Sequence, residues 1–167
     1  MGKKFVYDVI LLFLLFLLQS SAYTVFGENV RLVPQLTMIL VIIFALTHSF
    51  PEILWFSFIG GFFLEFFSSV FWGAYVVAMV VTGLLSYVVT RRLAQQELSI
   101  PLILFLIILG SLLFGVWAYF YDLLMVFLDL SSGFDFREWF SFKILWTILV
   151  NLIFFYPILL IYRLLPK

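Results

Sequence analysis

The sequence predicts an all-α membrane protein of about six transmembrane helices, a single polytopic domain over residues 1–167. Three observations predict it. Of the 167 residues, 66% are hydrophobic and only 11% are charged, whereas soluble domains carry about half apolar and about a quarter charged residues. The apolar residues fall into six runs separated by short polar breaks; a span takes roughly 20 such residues, and shorter runs are tolerated when the bilayer adapts. Lys and Arg are divided unevenly between the connectors, as a fixed membrane orientation requires.

The first run, about Phe5 to Val25, follows Lys3 and Lys4. Ser20 and Ala22 imitate a signal-peptidase site, but the run reads as an uncleaved first membrane helix. A connector carrying Gly27, Glu28, Asn29 and Arg31 leads to a short second run, Pro34 to Thr47. Pro34 suits a first helical turn, where a missing N–H costs nothing. The break His48-Ser49-Phe50-Pro51-Glu52 ends that helix and starts the third run, about Glu52 to Ser69. The fourth run, about Gly73 to Thr90, is closed by Arg91 and Arg92. Pro101 opens a long fifth run to about Leu128, and the polar stretch Asp129 to Ser141 precedes the sixth, about Phe142 to Leu164.

With the N-terminus inside, the cytoplasmic face receives Lys3, Lys4, Arg91, Arg92, Arg163 and Lys167, and the other face only Arg31, Arg137 and Lys143. An even number of spans returns both termini to the cytoplasm. The expected location is therefore a cell membrane, crossed several times.

Small residues four apart mark faces where helices approach closely in lipid. The fourth run has Ala74, Ala78, Thr82 and Ser86 in that register, and the third has Ser57, Gly61 and Glu65, with Gly60 alongside. The fifth continues Ser111 and Gly115 into Ala118 and Asp122. Helices three, four and five are therefore expected to pack together. The first run has no such stripe and is expected at the periphery or against another membrane protein.

Candidate chemistry is sparse. Cysteine is absent, which excludes disulfides and thiolate sites. Zero net charge gives no basic face for nucleic acid. Glu65 lies roughly 20 Å along its helix, at a depth where a bare carboxylate is costly. It reads either as a polar contact, within the bundle or with a partner helix, or as a protonated acid hydrogen-bonded to Ser or Thr. Asp122 reads as solvated near the outer boundary, His48 as a turn residue, and Arg91 and Arg92 as a topology signal. Asn151 is a candidate interhelical hydrogen-bond donor, and Pro157 is expected to kink its helix and free a carbonyl near Ile153. No nucleophile elbow, phosphate loop or metal-ligand spacing is present, so no cofactor is expected and the chain reads as a binding or scaffold protein.

Several of these residues carry a resemblance. Pro34-Gln35, Gly60-Gly61-Phe62, Glu65-Phe66-Phe67-Ser68-Ser69, Trp72-Gly73 and the pair Arg91-Arg92 fall in order, followed by Asn151, Pro157 and Arg163. This order resembles the MreD family, small multi-spanning membrane subunits of the bacterial rod-shape machinery. Their Gly-rich helix follows the pattern GFxxGLLxDLLSGxxLG, with Glu65 here in place of the acid and Ser69 in place of a glycine. Gln35 replaces the acid that usually follows the early proline. The resemblance implies a non-enzymatic protein of the bacterial inner membrane that binds MreC and helps link MreB filaments to peptidoglycan synthases, RodA and its transpeptidase. It also implies a bundle similar to the substrate-binding subunits of energy-coupling-factor vitamin transporters.

That similarity supplies a rival, a vitamin-binding transporter subunit. Such subunits present an Ala-x-x-x-Ala face on the first helix, and Phe5 to Leu18 contains no alanine. A lipid-modifying enzyme using Glu65 and Asp122 is the third reading.

Overall fold

The computed structural model describes residues 3–26, 34–66, 73–93, 100–128 and 142–164. They form six α-helices: α1 (Lys3–Phe26), α2 (Leu36–Thr47), α3 (Phe50–Phe66), α4 (Ala74–Leu93), α5 (Ile100–Phe127) and α6 (Phe142–Leu164). No strand occurs among the described residues. Four helices, α1, α4, α5 and α6, are long and apolar enough to cross a membrane. With 12 and 17 residues, α2 and α3 are shorter.

Side-chain contacts fix the directions. Asp8 meets His48 and Gln19 meets Thr37, so α1 and α2 are antiparallel. Phe50 meets Tyr87 at one end of the α3–α4 pair and Glu65 meets Gly73 at the other, so these helices are also antiparallel. Trp117 reaches Ala74 while Gly110 lies against Thr82, which runs α5 back along α4. Gln35 meets Asn151 and Thr47 meets Tyr162, so α6 is parallel to α2. The start of α1 and the end of α6 therefore share one end of the bundle. Arg91 and Arg92 lie at that end too, in the last turn of α4.

The core is a helix rather than a seam. Every residue of α2 from Leu36 to Ala45 is buried, and α2 touches each of the other five helices. A helix that is apolar all round belongs inside a bundle. At 1.5 Å per residue α2 covers about 18 Å, well short of a hydrocarbon core of about 30 Å. A helix this short ends within the depth of the bundle, where free backbone N–H and C=O groups need partners.

Two kinds of packing surround it. Between α3 and α4 the backbones nearly touch: a Cβ on Gly61 would stand 2.5 Å from Val76 Cα and 2.8 Å from the Tyr75 carbonyl oxygen. Ser57 sits directly against Gly83 in the same seam. Ala74, Ala78, Thr82 and Ser86 are all buried on the inner face of α4. Between α1 and α3 the packing is aromatic instead, with Phe5 on Phe56 at 5.0 Å, Phe13 on Phe63 at 5.3 Å and Phe16 on Phe63 at 5.4 Å between ring centroids.

Helix α1 packs on α2 and α3 at the outside of the bundle, in keeping with the peripheral placement expected. It buries Asp8, Leu11, Leu12, Leu15, Phe16 and Gln19 along one stripe and exposes Val6, Ile10, Leu14, Leu17 and Leu18 on the other. Large rings rather than a small-residue stripe hold it against α3.

The start of α3 also differs slightly, because Ser49 and Glu52 form a capping box. The Ser49 N–H and hydroxyl donate to Glu52 Oε2 at 2.9 and 2.7 Å, which starts the helix at Phe50 with Pro51 in its first turn. The helix α6 runs through Pro157 from Phe142 to Leu164.

The exterior is as apolar as the core. Trp55, Phe66, Phe120, Phe127, Ile153 and Leu164 all stand exposed. Soluble monomers rarely present contiguous apolar surface on this scale, and a lipid solvent removes the conflict.

Candidate functional site

Polar side chains inside a membrane bundle are costly unless paired, so their positions mark where the fold or the function needs them. The described residues place them in three ties, two at the ends of α2 and one between α3 and α4.

At the start of α2 the tie joins four helices. The Gln35 N–H donates to Asn151 Oδ1 at 2.8 Å, and Asn151 Nδ2 donates to Gln35 Oε1 at 3.2 Å and to Ser111 Oγ at 2.9 Å. One fully buried amide thus links α6, the entry to α2 and α5. From the other side, Gln19 Oε1 on α1 accepts the Thr37 N–H and the Thr37 hydroxyl, both at 3.1 Å. The Gln35 side chain gives α2 no cap of its own, and Gln19 and Asn151 supply the missing acceptors from neighbouring helices.

Glu65 does the same for α4. Its Oε1 accepts the Gly73 N–H at 2.7 Å and the Val76 N–H at 3.0 Å. The carboxyl group therefore sits at a helix N-terminus, where unpaired N–H groups and the helix dipole favour an acceptor or a negative charge. Two of its partners are backbone amides of the neighbouring helix start, so the acid makes a polar contact within the bundle, one of the two readings the sequence allowed. Gly73 turns the chain into this cap with φ of +111°, a conformation that favours glycine. Trp117 Nε1 donates to the Ala74 carbonyl at 2.8 Å and ties α5 to the same corner.

At the other end of α2, His48 lies in the bend before α3, as its reading as a turn residue expects, but its side chain turns inward. His48 follows the last residue of α2, and its ring is buried between Phe44 and Phe56, with centroids 5.1 and 5.2 Å away. Its Nε2 lies 2.9 Å from Asp8 Oδ2 on α1, and its Nδ1 lies 2.9 Å from Thr47 Oγ1. The Thr47 hydroxyl is 2.8 Å from Tyr162 Oη on α6. Asp8 is fully buried, and its Oδ1 has no hydrogen-bond partner among the described residues. The interior thus holds an acid and a base together, where the sequence suggested acids without a base.

The candidate residues sort accordingly. Ser57, Gly60, Gly61, Ala74, Ala78 and Thr82 are buried between helices of this chain, Gly60 against Thr37, Leu12 and Met79. Glu65, Gly73 and Asn151 belong to the ties. Pro157 is exposed within α6. Ser68 and the side chain of Asp122 lie outside the described residues. Asp8, Gln19, Thr47 and Tyr162 are sites that sequence reasoning missed. A signal existed for two of them: Asp8 and Gln19 flank the wholly apolar stretch Val9–Leu18, and 11 residues apart they stand about three turns along one stripe.

Among the described residues no group of three or more His, Asp or Glu side chains gathers. The chain matches no protein-family model, no curated protein and no solved structure.

Proposed function

We propose that this chain is a non-enzymatic, multi-pass protein of the bacterial inner membrane that works by assembly, as an MreD-type scaffold. In this reading it binds MreC and helps link MreB filaments to RodA and its transpeptidase during cell-wall elongation. The observation that carries it is the filled interior. The ten residues from Leu36 to Ala45 are buried without interruption at the centre of the bundle. Gln19, Thr37, Glu65 and Asn151 around them bond to one another or to helix starts. A chain organised in this way acts through its outer surface.

The resemblance adds the identity of the assembly. Glu65 stands at the family's acidic position and here holds the Gly-rich helix α3 to the start of α4. The shared end that carries Lys4, Arg91, Arg92 and Arg163 faces the cytoplasm in this reading, following the usual bias of Lys and Arg. The small-residue face of α3 is occupied by α4, so MreC meets a different surface.

The test is coexpression of the tagged chain with the MreC encoded in the same genome, followed by detergent extraction and a pull-down. A stable complex supports the scaffold. A vitamin that copurifies, or assembly with coupling ATPases, replaces it with the transporter-subunit reading.

A further inference from the structure

The tie around His48 differs from the other two. The groups at Gln35 and Glu65 complete helix starts, whereas Asp8, His48, Thr47 and Tyr162 complete none. They form a single file instead: Asp8 Oδ2, His48 Nε2 and Nδ1, Thr47 Oγ1 and Tyr162 Oη, with successive gaps of 2.9, 2.9 and 2.8 Å. Burial divides it into a buried pair and an outer pair of hydroxyls. Asp8 and His48 are inside, Tyr162 is half-buried and Thr47 is exposed.

We infer that this file is a proton relay, with the Asp8–His48 pair as its proton-binding site and the Tyr162 and Thr47 hydroxyls as its entry. Three features carry the inference. A buried carboxylate with one oxygen unpaired is unfavourable unless a charge or a proton compensates it, and Asp8 Oδ1 is such an oxygen. The imidazole is the one side chain in contact that takes or gives a proton near neutral pH. The same heavy-atom positions also serve both states of the ring. With the ring neutral and Nε2–H donated to Asp8, Nδ1 accepts from the Thr47 hydroxyl, which accepts from the Tyr162 hydroxyl. With the ring doubly protonated, Nδ1–H donates to Thr47 Oγ1, whose proton turns to Tyr162 Oη. One proton entering at Tyr162 therefore displaces the tyrosine proton to Thr47 and the threonine proton to His48. The reverse shift releases it, and no other species is consumed.

The neighbouring helices bring further charged and titratable groups to this end. They are Lys4 and Tyr7 on α1, Glu52 on α3, Tyr87, Arg91 and Arg92 on α4, and Arg163 on α6. The described part of α5 brings none there. Glu52 is held by Ser49 at 2.7 Å and feels both His48 and Lys4 electrostatically. The inference does not depend on the scaffold reading, because it concerns a proton and not a protein partner.

His48 is the one histidine in the chain, so isotopically labelled histidine gives a single imidazole to follow by NMR in the full chain in lipid nanodiscs. If the pair binds a proton, both ring nitrogens are expected to change state together in one step across the pH range in which the chain stays folded. Asp8→Asn is expected to move that midpoint by at least about one pH unit, roughly a tenfold change in proton affinity. Tyr162→Phe and Thr47→Val leave the pair intact and are expected to slow exchange of the ring N–H with water by roughly tenfold or more. A ring that keeps one state across the range, or a midpoint indifferent to Asp8→Asn, overturns the proton site. Unchanged exchange in both hydroxyl variants overturns the relay. Should Asp8→Asn fail to fold, the titration of the unaltered chain and the two hydroxyl variants still decide.

Discussion

The two seams of α3 hold their neighbours by opposite means. Against α4 it presents Gly61 and Ser57, and the partner backbone comes within the reach of a single methyl group. Against α1 it presents Phe56 and Phe63, and three ring contacts fill a wider gap. The first seam tolerates no added volume because backbone cannot turn aside. The second tolerates exchange of one ring for another apolar group, because side chains can repack. The polar ties follow the same division. Glu65 bonds backbone amides across the tight seam, and Asp8 bonds a side chain, His48, on the aromatic side of the bundle.

The sharpest way to break this contrast is Gly61→Leu. Its first side-chain carbon already collides with Val76 and Tyr75, so the loss is expected to exceed the ~1–3 kcal/mol usual for overpacking. Fluorescence-detected size exclusion is expected to show little folded protein. Phe63→Leu, two positions away, should fold normally.

Asp8→Ala comes next. Removing one partner of a buried pair leaves His48 Nε2 without an acceptor, at a cost of about 1–3 kcal/mol. Asp8→Leu combined with His48→Leu is expected to be more stable than Asp8→Ala alone, because no buried polar group is left over. Thermal unfolding in one detergent measures both. A double variant less stable than the single would mean that the pair itself drives folding.

Asn151→Leu removes all three bonds that join Gln35 and Ser111 to α6. Unpaired helices also find partners in lipid, so the expected loss is modest, about 1–2 kcal/mol. Phe63→Leu keeps an apolar group of similar bulk and should lose less than about 1.5 kcal/mol. The smallest change belongs to Glu65→Gln. The amide oxygen still accepts from Gly73 and Val76, and the charge–dipole part that disappears at this helix start is worth about 0.3–1 kcal/mol. Glu65→Ala, which removes the acceptor, should lose more, and the difference between the two isolates the cap from the charge. A large effect of Glu65→Gln would mean that the charge, and not the acceptor, matters at the tight seam.

Much of the tight seam was legible before the fold was known. Ala74, Ala78, Thr82 and Ser86 recur every four residues, and close approach of helices needs that spacing. The α1 seam was not legible in the same way, since Leu and Phe suit lipid and a protein interior equally. The inward turn of His48 was not legible for a related reason: the chain supplies its acceptor 40 residues away, on a helix that reads as uniform oil. The capping box at Ser49 and Glu52 was present in the sequence, because both its members lie within one turn.

The sequence by itself determined the apolar solvent, the helical class and the number of apolar runs. Composition and period are local properties and survive without knowledge of neighbours. Only the tertiary structure decided that the shortest helix is the core. It also decided that Gln19, Glu65 and Asn151 complete the starts of helices other than their own, and that Asp8 meets His48. The physical reason is the same in each case. A lipid solvent makes the inside and the outside of the bundle equally apolar, so hydrophobicity no longer says which face is buried. Polar groups then reveal the interior, and their partners come from distant parts of the chain.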